Sequence, residues 1–422
     1  MRKVLLFTLS LLALAAAAGA QTPATQPTDA RRESFDIVWR TVKEKHFDPA
    51  FGGVDWDGVR RKYEPRLGQI KSDAELYDML EAMLDELHQS HFGIIPPDAI
   101  TAESRESETG GVGLDLRLID DRAVITRADP ESPAARAGLR PGFVITKVDD
   151  LPVAQVVSRL RKAIERPGMA QLYIERRVLG HINGKPATTV RLEYLDEHDQ
   201  PHSASLVREA RQGEMSPAFG NLPPQYTEFE ARRLAGNIGY IRFNVFVMLV
   251  MPRVRAAIRE MRDAAGLIID LRGNPGGVGG MAIGIAGLLA TKEDSLGTMK
   301  MRGGELKFAF SPQPNAYAGK VVILVDGESA STSEVFAAGL QELGRAAVVG
   351  ERSVGAALPS VIQKLPTGAL FQYAIADFKT PKGVLIEGRG VIPDVEVKRA
   401  RAALLAGHDA QLDAARERIL KQ

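Results

Sequence analysis

Apolar residues recur at three- and four-residue steps in the first part of the chain: Phe35, Val38, Trp39 and Val42, then Leu76, Met79, Leu80, Met83, Leu84 and Leu87. Such spacing puts them on one face of a helix. The stretch from Ser34 to His91 is therefore predicted helical, with Asp55-Trp56-Asp57 opening a new helix between the two runs. Before it, residues 21 to 31 are rich in Thr, Pro, Gln and Ala and read as a flexible leader.

The pattern changes after residue 110. Gly110 to Leu114 opens an alternating strand and Ala123-Val124-Ile125 forms a second. Ser132 to Leu139 reads as a short helix stopped at Gly138, followed by a Pro141-Gly142 turn and a strand over Val144 to Val148. A helix over Val156 to Ile164 and strands near Gln171 to Arg177 and Thr188 to Tyr194 complete this region, and the proline-rich Ser216 to Tyr226 reads as a linker. From Ala231 on, short apolar runs (Ile238 to Ile241, Leu267 to Ile269, Val321 to Val325, Ala346 to Val349) alternate with helical segments at Met251 to Ala265 and Thr332 to Leu343. Continuous apolar runs of that length are strands buried on both faces, and their alternation with helices predicts an α/β core. The last twenty residues read as one charged amphipathic helix.

Composition narrows the function classes. The 422 residues carry 54 basic and 53 acidic side chains, a net charge of +1 with no long charged block, so no nucleic-acid footprint is expected. The absence of cysteine excludes disulfides, thiolate metal sites and a cysteine nucleophile. Arg2 and Lys3, the apolar stretch Val4 to Ala17 and the small residues Ala18-Gly19-Ala20 predict a secretory signal peptide cut before Gln21. The apolar stretch is shorter than the ~20 residues of a spanning helix, and no later run is long enough, so no membrane segment is expected after signal removal.

Two segments at predicted strand ends carry candidate chemistry. Gly327-Glu328-Ser329-Ala330-Ser331-Thr332-Ser333-Glu334 joins a buried strand to a helix. A serine there can be exposed beside helix N-terminal amides that stabilise an oxyanion. Ser331-x-x-Glu334 is equally a capping box, which needs no catalysis. Asp270-Leu271-Arg272-Gly273-Asn274-Pro275-Gly276-Gly277 lies where open α/β sheets place their sites. Its glycines read either as an oxyanion donor, Gly276 or Gly277, or as a tight connection at positive φ. A nucleotide loop would need a Gly-Lys-Ser/Thr end, which is missing.

Together these segments resemble the tail-specific (C-terminal processing) serine peptidases and their tricorn-like relatives. The family pattern includes Asp-Leu-Arg-x-Asn-x-Gly-Gly, Ser-Ala-Ser-x-Ser-Glu and Gly-Glu-x-x-x-Gly, the last standing here as Gly350 to Gly355. Its Gly-x-Gly-x-x-Pro-Asp close matches Gly388 to Asp394. The resemblance implies a multidomain α/β and α+β protein: signal peptide (1–20), N-terminal helical domain (30–98), PDZ-like β-rich domain (105–210), serine peptidase core of the Clp protease/crotonase-type spiral (228–400) and C-terminal helix (401–422). It implies Ser331 as nucleophile, with Gly276 or Gly277 and Thr332 as backbone oxyanion donors. Val112-Gly113-Leu114 resembles a PDZ loop that captures a peptide carboxylate.

The chain departs from the processing branch at one point. That branch has a lysine base after the glycine equivalent to Gly355, and glutamine four residues later; here stand Ala356 and Ser360. The tricorn-like branch instead carries a Ser-His pair at the end of its helical region, and Ser90-His91 matches it. The resemblance thus implies His91 as base, with Ser90 and Glu387 orienting or tuning it. A metal site on His88 and His91 lacks a convincing third ligand, and no cofactor is expected. The implied function is an exported, periplasmic or secreted serine endopeptidase acting on polypeptides recruited through the PDZ domain. The alternative is a non-catalytic PDZ scaffold that kept the fold after losing the lysine. Export is checked by mass spectrometry of the protein from its host, where the mature chain should begin at Gln21; a full-length cytoplasmic product would refute it.

Overall fold

The computed structural model describes residues 27–101 and 109–421, so the expected signal peptide lies outside the described residues. Three helices open the structure: α1 (Pro27–Lys45), α2 (Trp56–Tyr63) and α3 (Asp73–Asp85). Asp55 caps α2 through the Gly58 amide at 2.8 Å, and Ser72 caps α3 through the Glu75 amide at 3.2 Å. The Trp39 and Trp56 indoles each donate to the other's backbone carbonyl at 3.0 Å, clamping α1 to α2. The segment 21–31, expected as a leader, is helical from Pro27. Asp29 sits in the first turn, where it complements the helix dipole, and Arg31 pairs with Asp73 of α3 at 2.6 Å.

These helices share their core with a distant part of the chain. Phe35, Trp56, Leu76 and Leu80 pack with Leu365, Ala369, Phe371 and Tyr373. The strand that follows α3, β1 (Gly93–Ile95), pairs antiparallel with residues 370–372.

The second unit is an antiparallel sheet ordered β2-β3-β4-β5-β6: β2 (Leu114–Ile119), β3 (Arg122–Ala128), β4 (Val144–Val148), β5 (Thr189–Leu195) and β6 (Pro201–Val207). The short α4 (Pro133–Arg136) lies between β3 and β4, and α5 (Val153–Ala163) and α6 (Pro167–Ile182) between β4 and β5. The strand expected over Gln171 to Arg177 is therefore helical. Ala170, Ile174, Val178 and Ile182 are buried while Arg176 and Gly180 between them are exposed, a four-residue period that fits a helix and breaks strand alternation.

The third unit holds a sheet ordered β7-β8-β9-β12-β13-β17, built from β7 (Phe229–Leu234), β8 (Ile238–Phe243), β9 (Gly266–Asp270), β12 (Lys320–Val325), β13 (Ala347–Gly350) and β17 (Val395–Glu396). All pairs from β8 onward are parallel. α7 (Met251–Glu260), α8 (Gly279–Leu289) and α9 (Thr332–Glu342) cover one face. Two smaller antiparallel sheets flank it. One is β10 (Asp294–Met301) with β11 (Gly304–Phe310) and β16 (Ala376–Lys379); the other is β14 (Ser360–Lys364) with β15 (Leu370–Ala374) and β1.

The C-terminal segment forms two helices rather than one, α10 (Arg401–Leu405) and α11 (Ala410–Leu420), parted at Gly407, whose φ of +80° ends the first. α11 covers the second face of the main sheet, with Ala415 and Ile419 against Ile238, Ile268 and Val322. Its cap, Asp409, also accepts from Arg272 at 2.9 Å, and Arg272 pairs with Asp270 at 2.6 Å. The Asp-Leu-Arg motif thus fastens the end of β9 to the C-terminal helix.

A buried charge network joins the second unit to the third. Arg117 of β2 donates to Asp326 at 2.9 Å and to Asp115 at 2.7 Å, and lies 3.2 Å from Glu328. Arg242 meets Asp115 at 3.0 Å, and Arg399 meets Asp326 at 3.1 Å. Buried cations persist only when compensated in this way, and the compensation fixes the loop after β12 that leads to Ser331.

Candidate active site

Parallel strands β9 and β12 lie side by side and end together, with Asp270 opposite Leu324. The loops leaving them therefore start from one edge. Asn274 stitches the two. Its Oδ1 accepts the Gly276 amide at 2.9 Å, its Nδ2 donates to the Phe243 carbonyl at 2.8 Å, and its carbonyl accepts Ser333 Oγ at 2.9 Å. Asp326 accepts the Gly273 and Glu328 amides at 2.9 and 3.0 Å. Gly276 needs both its φ of +96° and its missing side chain: a Cβ there would stand 2.7 Å from the Thr332 nitrogen and 2.8 Å from Ser331 Cβ.

Ser331 sits just before α9 with φ +54° and ψ −119°, a strained conformation that turns its side chain out of the helix axis. Only half of the capping box forms. Glu334 Oε2 accepts the Ser331 amide at 3.0 Å, but the Glu334 amide takes the Ser331 carbonyl, and Ser331 Oγ points to His91. Glu334 is fully buried and also accepts from Ser353 Oγ and from the Gly355 and Ala356 amides at 2.5, 2.7 and 2.9 Å. Burial pushes its carboxyl up to about 7, against the pull of these donors.

His91 arrives from the loop between α3 and β1, also at positive φ, +61°. Its Nε2 lies 3.2 Å from Ser331 Oγ and its Nδ1 2.8 Å from Ser90 Oγ. Ser90 Oγ donates to Glu387 Oε2 at 2.8 Å, and the Ser90 amide donates to Glu387 Oε1 at 3.0 Å. A hydroxyl has one proton to give. With that proton on Glu387, Ser90 Oγ must accept from Nδ1–H, which leaves the Nε2 lone pair facing Ser331. Burial pushes His91 down to about 4; Glu387 pulls it up, and Arg166 adds to the lowering.

The structure thus brings together Ser331, His91, Ser90 and Glu387, from positions up to 297 residues apart in sequence. Gly276 is placed beside Ser331, but its N–H is committed to Asn274, so the oxyanion donor expected from it is not free. Gly277 differs. Phe246 bonds to the Gly276 carbonyl and the Val278 amide, each at 2.7 Å, so in this parallel bridge the Gly277 N–H faces away from Phe246. The Gly277 carbonyl accepts Thr332 Oγ1 at 2.7 Å, and the Thr332 amide is the first orphan donor of α9.

Ala356, where the processing branch has lysine, is buried. Its side chain packs with Leu172, Ala330 and Val354. Its backbone still serves the site, because its carbonyl accepts the Ser331 amide at 2.8 Å. Ser360 starts β14 and bonds Gln372 at 2.8 Å. In the second unit, Val112 is buried and gives its carbonyl to the Ala134 amide, while Gly113, at φ +75°, gives its own to Asp129. Leu114 begins β2.

Arg166 was not marked by any sequence motif. It lies in the connection between α5 and α6, donates to Glu387 Oε1 at 2.8 Å and also donates to the Gly355 carbonyl. Glu334 was legible only as a capping residue. No group of three or more metal-ligating side chains occurs among the described residues.

With this geometry in place, similarities to known proteins can be stated. Residues 237–397 match the family described as Peptidase family S41, residues 27–85 the Tricorn protease C1 domain, and residues 124–173 a PDZ domain. The chain is 28% identical over 387 residues to a carboxyl-terminal-processing protease of Synechocystis, covering 89% of this chain and 84% of that protein. Among solved structures, it resembles the photosystem II D1 C-terminal processing protease, with TM-score 0.58, 24% identity and coverage of 90% of this chain and 98% of that one. It also resembles the tricorn protease, with TM-score 0.52 and 17% identity, over 94% of this chain and 37% of that one.

The approach of Gly276 to Ser331 gives a sharp expectation. Gly276→Ala should lower turnover by about 100-fold or more, because the methyl displaces Ser331 and Thr332 at the reacting centre. Gly303→Ala, where a Cβ meets nothing within 4 Å, should leave turnover unchanged. Measuring peptide hydrolysis by both variants decides the matter; full activity in Gly276→Ala would show that this packing is irrelevant.

Proposed function

The chain is a serine peptidase of family S41, and from that premise we propose that it cleaves peptide bonds with a Ser331–His91–Ser90–Glu387 relay in place of a Ser–Lys pair. The observation that carries this reading is the 3.2 Å approach of His91 Nε2 to Ser331 Oγ, with Nδ1 held by Ser90. His91 Nε2 takes the Ser331 proton as Oγ attacks the scissile carbonyl carbon. Glu387, through Ser90, favours the imidazolium that results. The Gly277 and Thr332 amides donate to the oxyanion. Nε2 then gives the proton to the leaving amine, and a water molecule, activated by the same imidazole, hydrolyses the acyl-enzyme to free Ser331.

The substrates are exported polypeptides. In this reading Val112-Gly113-Leu114, which precedes the PDZ match over residues 124–173, receives a free C-terminal carboxylate on its amides, its carbonyls being taken by Ala134 and Asp129. A peptide with a free C-terminus should bind more tightly than its amidated twin; equal affinities in calorimetry would rule out carboxylate capture.

Catalysis is tested with a fluorophosphonate probe and by hydrolysis of an unstructured protein such as casein. Labelling should map to Ser331. His91→Ala should reduce turnover nearly as much as Ser331→Ala, since members of one catalytic unit are not additive, while Lys364→Ala, which removes a lysine at the end of β14 that matches no motif of the family, should matter little. The pH dependence follows from the lowered His91 pKa. Below it the imidazole is protonated and cannot act as base, and above it the base is free. The acid limb of kcat/KM should therefore fall near pH 4 rather than near the ~6.5 of an unperturbed histidine. An active His91→Ala variant would refute the Ser–His assignment.

A further inference from the structure

The Glu387 carboxylate receives four hydrogen bonds. Oε2 accepts from Ser90 Oγ and the Ala357 amide at 2.8 and 3.0 Å, and Oε1 from the Ser90 amide and Arg166 at 3.0 and 2.8 Å. Three of these come from the base loop or from the segment beside the nucleophile. The fourth comes from the other unit, out of the turn between α5 and α6. That turn lies directly on the wall of the site. A Cβ on Gly168 would come 3.2 Å from the Val354 carbonyl, and Leu172 and Met169 pack with Val354, Ala356 and Ala330.

Resting on the Ser–His reading above, we propose that Arg166 is a positioning residue of the active site: its planar guanidinium fixes Glu387 with Oε2 toward Ser90 and ties it to the Gly355 carbonyl on the nucleophile's side. The rigid fork of an arginine suits this double task, because one arm sets the carboxylate plane while another holds the loop. Gly355 is followed by Ala356, whose carbonyl takes the Ser331 amide. One side chain therefore spans from the acid behind the base to the backbone behind the nucleophile.

Arg166 also acts by charge. The charged groups acting on His91 are Glu387, which stabilises the imidazolium, and Arg166, which opposes it; Ser90 and Ser331 present neutral hydroxyls, and Glu334 reaches the site through the Ser331 amide. Removing the guanidinium leaves Glu387 unopposed. The base should then hold its proton to higher pH. A residue that merely supported the fold would lower the rate without moving this titration.

The test is the second-order rate of Ser331 labelling by a fluorophosphonate across pH, in the full-length wild type and in Arg166→Gln and Arg166→Lys, with casein hydrolysis in parallel. Arg166→Gln should slow labelling by about 10- to 100-fold, the scale of a misplaced catalytic group, and move the acid midpoint upward by about one unit, as loss of one nearby charge does. Arg166→Lys keeps the charge without the fork, so its midpoint should stay near wild type while its rate recovers only in part. An Arg166→Gln enzyme with wild-type rate and midpoint would overturn the proposal, as would a slower Arg166→Gln whose midpoint is unmoved. A wild type that fails to label, or labels equally fast after His91→Ala, would instead overturn the Ser–His reading on which the proposal stands.

Discussion

The pairing of Gly93–Ile95 with Leu370–Gln372 is the contact on which the site depends. His91 stands two residues before that ladder and 240 residues before Ser331. A loop carrying such a residue has no local reason to approach the core. The ladder supplies one, and the apolar core shared between α1–α3 and residues 365–373 fixes the depth at which it docks. Antiparallel register leaves little freedom, since a one-residue slip would turn Ile94 from the core to the opposite face. His91 is thus delivered to Ser331 by strand pairing.

Around that constraint, buried polar side chains do the fine alignment. Asn274, Asp326 and Glu334 each collect several backbone amides or hydroxyls, and each joins segments that the chain brings from different strand ends. A buried acceptor left without donors is costly, so each residue makes one arrangement of its loops strongly preferred. This is how Ser331 and His91, both at positive φ, are kept in conformations that an isolated chain would avoid. The same carboxylate in Glu334 that reads as a helix cap is, in three dimensions, a clasp between the helix start and residues 353–356.

Much of this was legible in the sequence. The Leu267–Ile269 and Val321–Val325 runs announced buried strands, and motif order located the two loops that meet at their ends. Ser90, His91 and Glu387 were singled out only through the resemblance to the tricorn-like branch, since a lone Ser-His pair or a glutamate in a glycine-rich turn carries no signal of its own. What escaped was set by tertiary context. Residues 171–177 have enough alternation to imitate a strand, and only the packing of Ile174 and Val178 into the neighbouring sheet reveals the helix. Gly276 and Gly277 are indistinguishable in sequence, whereas the Asn274 side chain decides which amide is free. Arg166 has no local signature, because its partner lies 221 residues away.

The anchoring of β9 by the C-terminal helix has a consequence for synthesis. Arg272 is held between Asp270 and Asp409, and α11 closes the second face of the sheet that carries both site loops. Glu387 and the helix cap are translated hundreds of residues after His91. A nascent chain therefore carries His91 and Ser331 before it can align them, and such long-range closure is slow. The arrangement around Ser331 is completed only when the last-translated segment docks.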